Sequence, residues 1–449
     1  MKMVFDVKAK PKFTQVLVFA FQQLLAILAA TIAVPAIVGN GMSQSAALFG
    51  AGVGTIVYLL FTKFKSPVFL GSSFGFLGSM FAAFGGAASV SVGYAGLLIG
   101  AAFAGLVYVI ISLIIKFAGV KWIDKLMPAV VIGPTVAIIG LSLAGNAVGD
   151  LIKGSVLVND APVASPYIAL LCGLITMFVV IICSVFGKKM AKLIPFVIGI
   201  AAGYAVAAIF TVIGNATNND ALKLINFSLF ENMKWIPDFA FLEAFKGFGE
   251  EGFNATYVAT VAVAYVPVAF VVFAEHLADH KNLSSIIEQD LTKDPGLHRT
   301  LLGDGVGSIA GAFFGGCPNT TYGESIACVA ITGNASVITI LCTAILAIVA
   351  SFFGPFVTAL ATIPSCVMGG VCFTLYGFIA VSGLKMLQPV DLNDNRNLFT
   401  ASVILIAGVG GLTVSIPFGN SAITLTTVAC ALILGIVVNL ITGIKKKEK

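Results

Sequence analysis

The sequence predicts an all-α polytopic membrane protein of about fourteen transmembrane segments, in two seven-segment repeats of opposite orientation. Three observations carry that reading. Hydrophobic residues make up 59% of the 449 and charged residues only 10%, with a mean hydropathy of +1.05, whereas a soluble domain is about a quarter charged. Apolar runs of roughly twenty residues, each able to cross a hydrocarbon layer of ~30 Å, follow one another along the chain. Three short motifs of the first half recur in the same order in the second.

In the first half the runs place segments near 15–34, 44–63, 67–84, 91–117, 128–147, 166–187 and 190–214. In the second they place segments near 256–279, 299–315, 317–331, 334–355, 364–386, 397–415 and 421–443. An even number of crossings puts both termini on one side. With the N-terminus in the cytoplasm, the basic residues fall mostly on cytoplasmic loops and the tail 445–449; only Lys153, Lys223, Lys234 and Lys246, four of 25, fall outside. That asymmetry is the positive-inside bias. The net charge of +5 thus reports orientation, and no nucleic-acid partner is expected. The first apolar run is too long for a cleavable signal peptide.

The internal repeat sets the architecture. Residues 48–56, Leu-Phe-Gly-Ala-Gly-Val-Gly-Thr-Ile, match 301–309, Leu-Leu-Gly-Asp-Gly-Val-Gly-Ser-Ile. Ser72-Ser73-Phe74-Gly75 matches Thr320-Thr321-Tyr322-Gly323, and the Pro128–Gly133 run matches Pro364–Gly369. Glycine-rich membrane helices resemble one another by chance, but three matches in order point to a true repeat. An odd number of crossings per half forces the copies to enter the membrane in opposite senses, which brings a transporter's site to the broken segments near the midplane.

The copies differ where chemistry is expected. Ala51 corresponds to Asp304 and Phe76 to Glu324. An ionisable residue at membrane depth costs at least ~2.5 kcal/mol, so it faces protein, water or the interface. Glu324 directly follows the helix-breaking Thr-Thr-Tyr-Gly and reads as a ligand contact. Glu275 lies late in an apolar helix, and Asp279, one turn on, shares its face. His276 is one position off that face and reads as a core or helix-terminal histidine. Asp304 reads either as a helix-bonding group or as a proton-linked one. Gln22 and Gln23 either join helices or reach a ligand.

Some classes are excluded on the same page. The eight cysteines sit in apolar segments without metal spacing, so neither a disulfide framework nor a metal site is expected. No phosphate-binding loop, nucleophile elbow or zinc-protease motif is present, and no cofactor or enzymatic activity is expected. Two carboxylates beside broken helices suit a neutral heterocycle: they accept its N–H groups, while free backbone N–H groups donate to its carbonyls. Phe74 and Tyr322 are placed to pack on a planar ring. A metal ion such as Na⁺ fits the same acids, whereas an anion is repelled. Acids that repel one another in a low dielectric favour keeping a proton on one of them, as a proton carrier requires.

At these residues the chain resembles the nucleobase–ascorbate transporter family, and within it the bacterial uracil permeases. The carrying motifs are Leu-Gly-Ser-Ser-Phe (70–74), Ala-Glu-His (274–276), Asp-Pro-Gly-Leu-His-Arg (294–299) and Pro-Asn-Thr-Thr-Tyr-Gly-Glu (318–324). The resemblance implies short β-strands in segments 3 and 10. It implies a core domain (1–126 and 256–356), a gate domain (127–215 and 357–449, including the cytoplasmic tail) and an external loop (216–255). It further implies H⁺-coupled uracil import by a homodimer in the cytoplasmic membrane. Glu275 and Glu324 would bind the pyrimidine with backbone groups of Phe74 and Gly323. Ala30, Phe74 and Tyr322 would line the pocket, and Asp279, Glu275 and Asp304 are expected to serve proton coupling, the position of Asp279 resembling one that is His in some uracil permeases. The family's Gln-His pair is Gln22-Gln23 here, and its expected Asn and Gly after the Glu are Ser325 and Ala327, so Gln23, Ser325 and Ala327 bear on specificity. Purine or xanthine transport and anion exchange on the same fold are the alternatives.

Overall fold

The computed structural model describes residues 3–119, 122, 127–158, 161–188, 190–418 and 421–443. The tail 445–449 lies outside these residues. Segments 1 and 2 are the helices Phe13–Val38 and Gln44–Phe61. Segment 3 is broken: strand Leu70–Ser72, a single turn Phe74–Phe76 and helix Leu77–Gly85. Segment 4 is Val90–Ala118, and segment 5 runs through Ala129–Ser142 into Ala144–Asp150. Segments 6 and 7 are Pro166–Phe186 and Pro195–Thr217.

The second half repeats the pattern. Segment 8 is Ala255–Ile287 and segment 9 Leu297–Gly315. Segment 10 is again broken, with strand Asn319–Thr321 followed by helix Gly323–Thr332. Segment 11 is Val337–Ala350, bent by 82° into Gly354–Ala361. Segments 12, 13 and 14 are Ser365–Lys385, Asn395–Val409 and Thr427–Thr442. Among the described residues eight helices are long and apolar enough to cross a membrane alone, or nine with the bent pair. The rest are the two broken segments, the glycine-rich segment 9 and the shorter apolar helices 13 and 14.

Segments 8 and 13 depart from the sequence expectation at their ends. Segment 8 continues to Ile287 because its polar last turns bury His276 and His280 against protein, where hydropathy alone ends the span. Segment 13 stops at Val409, and Gly411, with φ of +70°, turns the chain into an antiparallel hairpin of Val414–Phe418 with Ser421–Leu425. The β-branched residues here favour strand over helix. The stretch 216–255 holds a short helix, Ala240–Gly247, whose Glu243 and the nearby Glu250 accept hydrogen bonds from Ser91 and Ser89 at the start of segment 4.

The repeated motifs pack on each other. Segment 9 lies against segment 2 so that Gly54 faces Gly307, its own equivalent; a Cβ on either would lie 2.7 Å from the other's carbonyl oxygen. Gly50 faces Gly311, and their equivalents Gly303 and Tyr58 face each other in turn. The strands pair antiparallel with Leu70 opposite Thr321, Gly71 opposite Thr320 and Ser72 opposite Asn319. Gly133 of segment 5 meets the Gly383 carbonyl of segment 12, while Gly369 of segment 12 meets the Ala147 carbonyl of segment 5. Contacts that exchange partners under one alignment are the mark of a two-fold related, inverted repeat. Small residues let these backbones approach where lipid supplies no hydrophobic drive.

Candidate functional site

The strand pair places two half-helices at one point. Tyr322 precedes the segment 10 helix, whose first bond runs from Ile326 N–H to the Tyr322 carbonyl at 3.2 Å. The N–H groups of Gly323, Glu324 and Ser325 therefore have no partner within the helix. Opposite, the Ser73 N–H bonds the Pro318 carbonyl at 2.9 Å and sets the turn that begins at Phe74. The Tyr322 ring covers Gly71, where no side chain would fit, and its hydroxyl donates to the Ser72 carbonyl at 2.8 Å. The aromatic wall is thus fixed by the sheet.

Beside this crossing lies a cavity of about 360 Å³. Phe74, Glu275, Asp279, Tyr322, Gly323 and Glu324 line one side, all of them expected from the sequence. Ala327 also lines it. The four acids differ in what they hold. Asp279 Oδ2 accepts the Thr321 hydroxyl at 2.7 Å, and Asp304 Oδ2 lies 2.7 Å from His276 Nδ1. Among the described residues no other side chain bonds or pairs with Glu275 or Glu324. Their acceptor capacity is open to the cavity.

Other expected residues sit elsewhere. Ala30 is buried in segment 1 and is not part of the lining. Asp304 is fully buried behind the cavity. Ser325, one residue on from Glu324, projects from a different side of the helix and is not part of the cavity lining. Its hydroxyl accepts from the Phe69 N–H at 3.0 Å and lies 2.5 Å from Gln23 Nε2. Two positions that depart from the family pattern therefore touch each other. Gln22 Nε2 lies 3.2 Å from the Met190 sulfur. Among the described residues no group of three or more His, Cys, Asp or Glu could hold a metal ion, and all eight cysteines are free.

The facing wall was missed from sequence. Phe196 of segment 7 and Phe378, Ile379 and Ser382 of segment 12 complete the cavity, and Tyr376 packs edge-on against Phe74 at 6.0 Å. The one available signal was the Pro364–Gly369 repeat, which marks segment 12 as the counterpart of segment 5.

The Gln23–Ser325 contact is open to a double-mutant cycle. Gln23→Ala and Ser325→Ala are each expected to lower the thermal melting midpoint, with a non-additive interaction of about 0.5–3 kcal/mol as for residues in one hydrogen-bond network. Additive losses would show that the pair does not act as a unit.

Comparison with known proteins decides the family. A sequence model of the permease family, Xan_ur_permease, matches residues 14–417. The chain belongs to this family, that of the nucleobase–ascorbate transporters. The uracil permease of Bacillus caldolyticus is 38% identical over 444 residues, covering 98% of this chain and 95% of that protein. The uracil permease of Escherichia coli K12 is 34% identical over 439 residues, covering 97% and 93%. Among solved structures, the transmembrane domain of the cyanobacterial bicarbonate transporter BicA superposes with a TM-score of 0.66 at 16% identity, covering 96% of this chain and 99% of that one. Murine Slc26a9, an anion transporter in the inward-facing state, gives 0.64 at 12% identity, covering 97% and 69%. These two likenesses show the fold, an inverted repeat. The family member is thus a multi-pass membrane transporter and not an enzyme.

Proposed function

We propose that the protein imports uracil together with a proton by alternating access. The observation that carries this is the pair of unpartnered carboxylates, Glu275 and Glu324, beside a free helix N-terminus and the Phe74 ring in one cavity. Uracil presents N–H donors next to carbonyl acceptors on a flat ring. The carboxylates accept the former, and the Gly323 and Phe74 backbone N–H groups serve the latter. Tyr322 supplies an apolar face, and Ala327 leaves the floor open. The relatives named above are uracil permeases of similar length, which supports the same substrate. Two unpaired acids disfavour an anion, although the fold is shared with anion carriers.

Segments 1–4 and 8–11 act as a core that carries the site, and segments 5–7 and 12–14 as a gate against which it moves. The Phe74–Tyr376 contact lies between these units. Glu275, Asp279 and Asp304 carry the coupling proton, Gln23 and Ser325 tune specificity by setting the first turn of segment 10, and Ala30 supports that turn from segment 1. The carrier works as a homodimer in the cytoplasmic membrane with both termini inside.

The test is uracil uptake into proteoliposomes under an imposed pH gradient, with and without Na⁺. Uptake driven by an inward proton gradient and indifferent to Na⁺ is expected; uptake that follows Na⁺ alone overturns the coupling, and no uptake of uracil overturns the substrate. Asp279→Asn is expected to slow gradient-driven uptake and blunt its pH dependence. An unchanged pH profile removes Asp279 from the coupling.

A further inference from the structure

Behind the cavity, segment 8 turns His276 and His280 into the protein, where both rings are buried and stack with centroids 4.0 Å apart. The two are satisfied differently. His280 Nδ1 lies 2.9 Å from the His276 carbonyl, which only a ring N–H can satisfy. Its Nε2 faces the Tyr58 oxygen at 2.7 Å, and the Tyr58 hydroxyl donates to Ser66 Oγ at 2.6 Å.

His276 faces an acid instead. Its Nε2 lies 3.1 Å from Thr300 Oγ1, and the Thr300 hydroxyl is already donated to the Leu297 carbonyl at 3.1 Å. With the Thr300 hydroxyl so placed, the ring donates from Nε2. Nδ1, 2.7 Å from Asp304 Oδ2, is then either a second N–H facing a carboxylate or a lone pair facing a carboxylic acid. In both cases one proton lies between the two atoms and the pair is neutral. A bare carboxylate fits poorly: Asp304 Oδ1 has no hydrogen-bond partner, the Thr320 hydroxyl lying close to it without the geometry of a bond. A buried charge left unpaired is costly.

We propose that His276 and Asp304 form a proton-holding pair that serves as the coupling site behind the cavity. In the loaded carrier one proton is shared between Nδ1 and Oδ2. On release the Nε2 proton passes to water, the shared proton stays on Nδ1 and is accepted by the Asp304 carboxylate, and the Thr300 hydroxyl turns from Leu297 to Nε2. The pair then carries one net negative charge. That charge is felt at the substrate site by two short routes. Glu275 directly precedes His276, and Thr320 beside Asp304 directly precedes Thr321, which holds Asp279. The titratable groups around the pair are Tyr58 of segment 2, Tyr108 of segment 4, and Glu275, Asp279 and His280 of segment 8, with Glu324 of segment 10 facing the two acids. None is a lysine or arginine, and Arg299 is turned to the Phe61 carbonyl at 3.3 Å. The acids among these neighbours, Glu275, Asp279 and Glu324, oppose a further negative charge, which ties loss of the proton to a change at the site.

The role in transport rests on the proton-coupled reading above, so two measurements on the purified full-length protein separate them. The chain has only three histidines, His276, His280 and His298, so ¹⁵N-histidine NMR with His276→Gln as reference assigns the ring. The His276 signals are expected to titrate in the wild type and not in Asp304→Asn. A ring that holds one neutral tautomer at every pH where the protein is folded overturns the pair, whether or not uracil binds. Calorimetry in buffers of different ionisation enthalpy then counts protons taken up with uracil. About one is expected for the wild type, with affinity falling about tenfold per pH unit once the proton is lost, and none for Asp304→Asn or His276→Gln. Wild-type uptake of a proton by both variants, shown to be monodisperse, overturns the coupling role.

Discussion

Glu324→Ala is expected to abolish uracil uptake while leaving the protein inserted and folded. Among the described residues Glu324 makes no bond to another side chain, so its loss removes no such support from the scaffold, and the thermal melting midpoint should stay near that of the wild type. Its contribution falls on the ligand. A hydrogen bond to a charged group is worth about 1.5–3 kcal/mol, which is roughly 10–150-fold in affinity, and truncation also leaves a ligand N–H unpaired in a dry pocket. Glu324→Gln keeps the shape but presents an amide that can donate where an acceptor is needed; it should retain weak binding only if the amide oxygen turns to the ring. Radiolabelled uracil binding and uptake, read beside the melting curve, check both variants. Near-normal uptake by the alanine variant would remove Glu324 from the site.

The ease of finding Glu324 shows which parts of such a site are local. A carboxylate directly after Thr-Thr-Tyr-Gly is a conflict between lipid and backbone visible in seven residues, and Glu275 with Asp279 is one helical face. The repeat was legible for the same reason, because each motif is short and carries its own glycines. Ser325 was not legible in the same way. Successive residues on a helix point about 100° apart, so whether Ser325 or Glu324 meets the cavity depends on how the strand before them is rotated. That rotation comes from pairing with residues 70–72. The union of Gln23 with Ser325 joins segments 1 and 10, and that of His276 with Asp304 joins segments 8 and 9. Neither has a spacing that sequence periodicity can report. The facing wall from segments 7 and 12 is further removed still, since it exists only once two packed units are brought together.

The same packing makes Gly54 a sensitive position outside the site. A Cβ there would lie 2.7 Å from the Gly307 carbonyl oxygen and 2.5 Å from Asn319 Nδ2, and neither can yield cheaply. The first is helix backbone. The second donates to the Gly50 carbonyl at 3.2 Å, while the Asn319 N–H is held by Ser308 at 3.0 Å, so moving it disturbs the strand that leads to Glu324. Overpacking a close-packed interior costs about 1–3 kcal/mol even where side chains can shift. Gly54→Ala is therefore expected to lower the melting midpoint strongly, and Gly54→Leu to prevent recovery of folded protein. Because Gly307 is the equivalent position of the other repeat, with the same 2.7 Å approach in return, Gly307→Ala should cost a similar amount. Gly78 is the control: it lies within a helix, no atom stands within 4 Å of its would-be Cβ, and alanine there should be neutral or stabilising. Melting curves of the three alanine variants test the crossing directly. If Gly54→Ala and Gly307→Ala both melt with Gly78→Ala, the two glycine motifs do not meet at their equivalent positions, and the inverted pairing that brings segments 3 and 10 together must be drawn in another register.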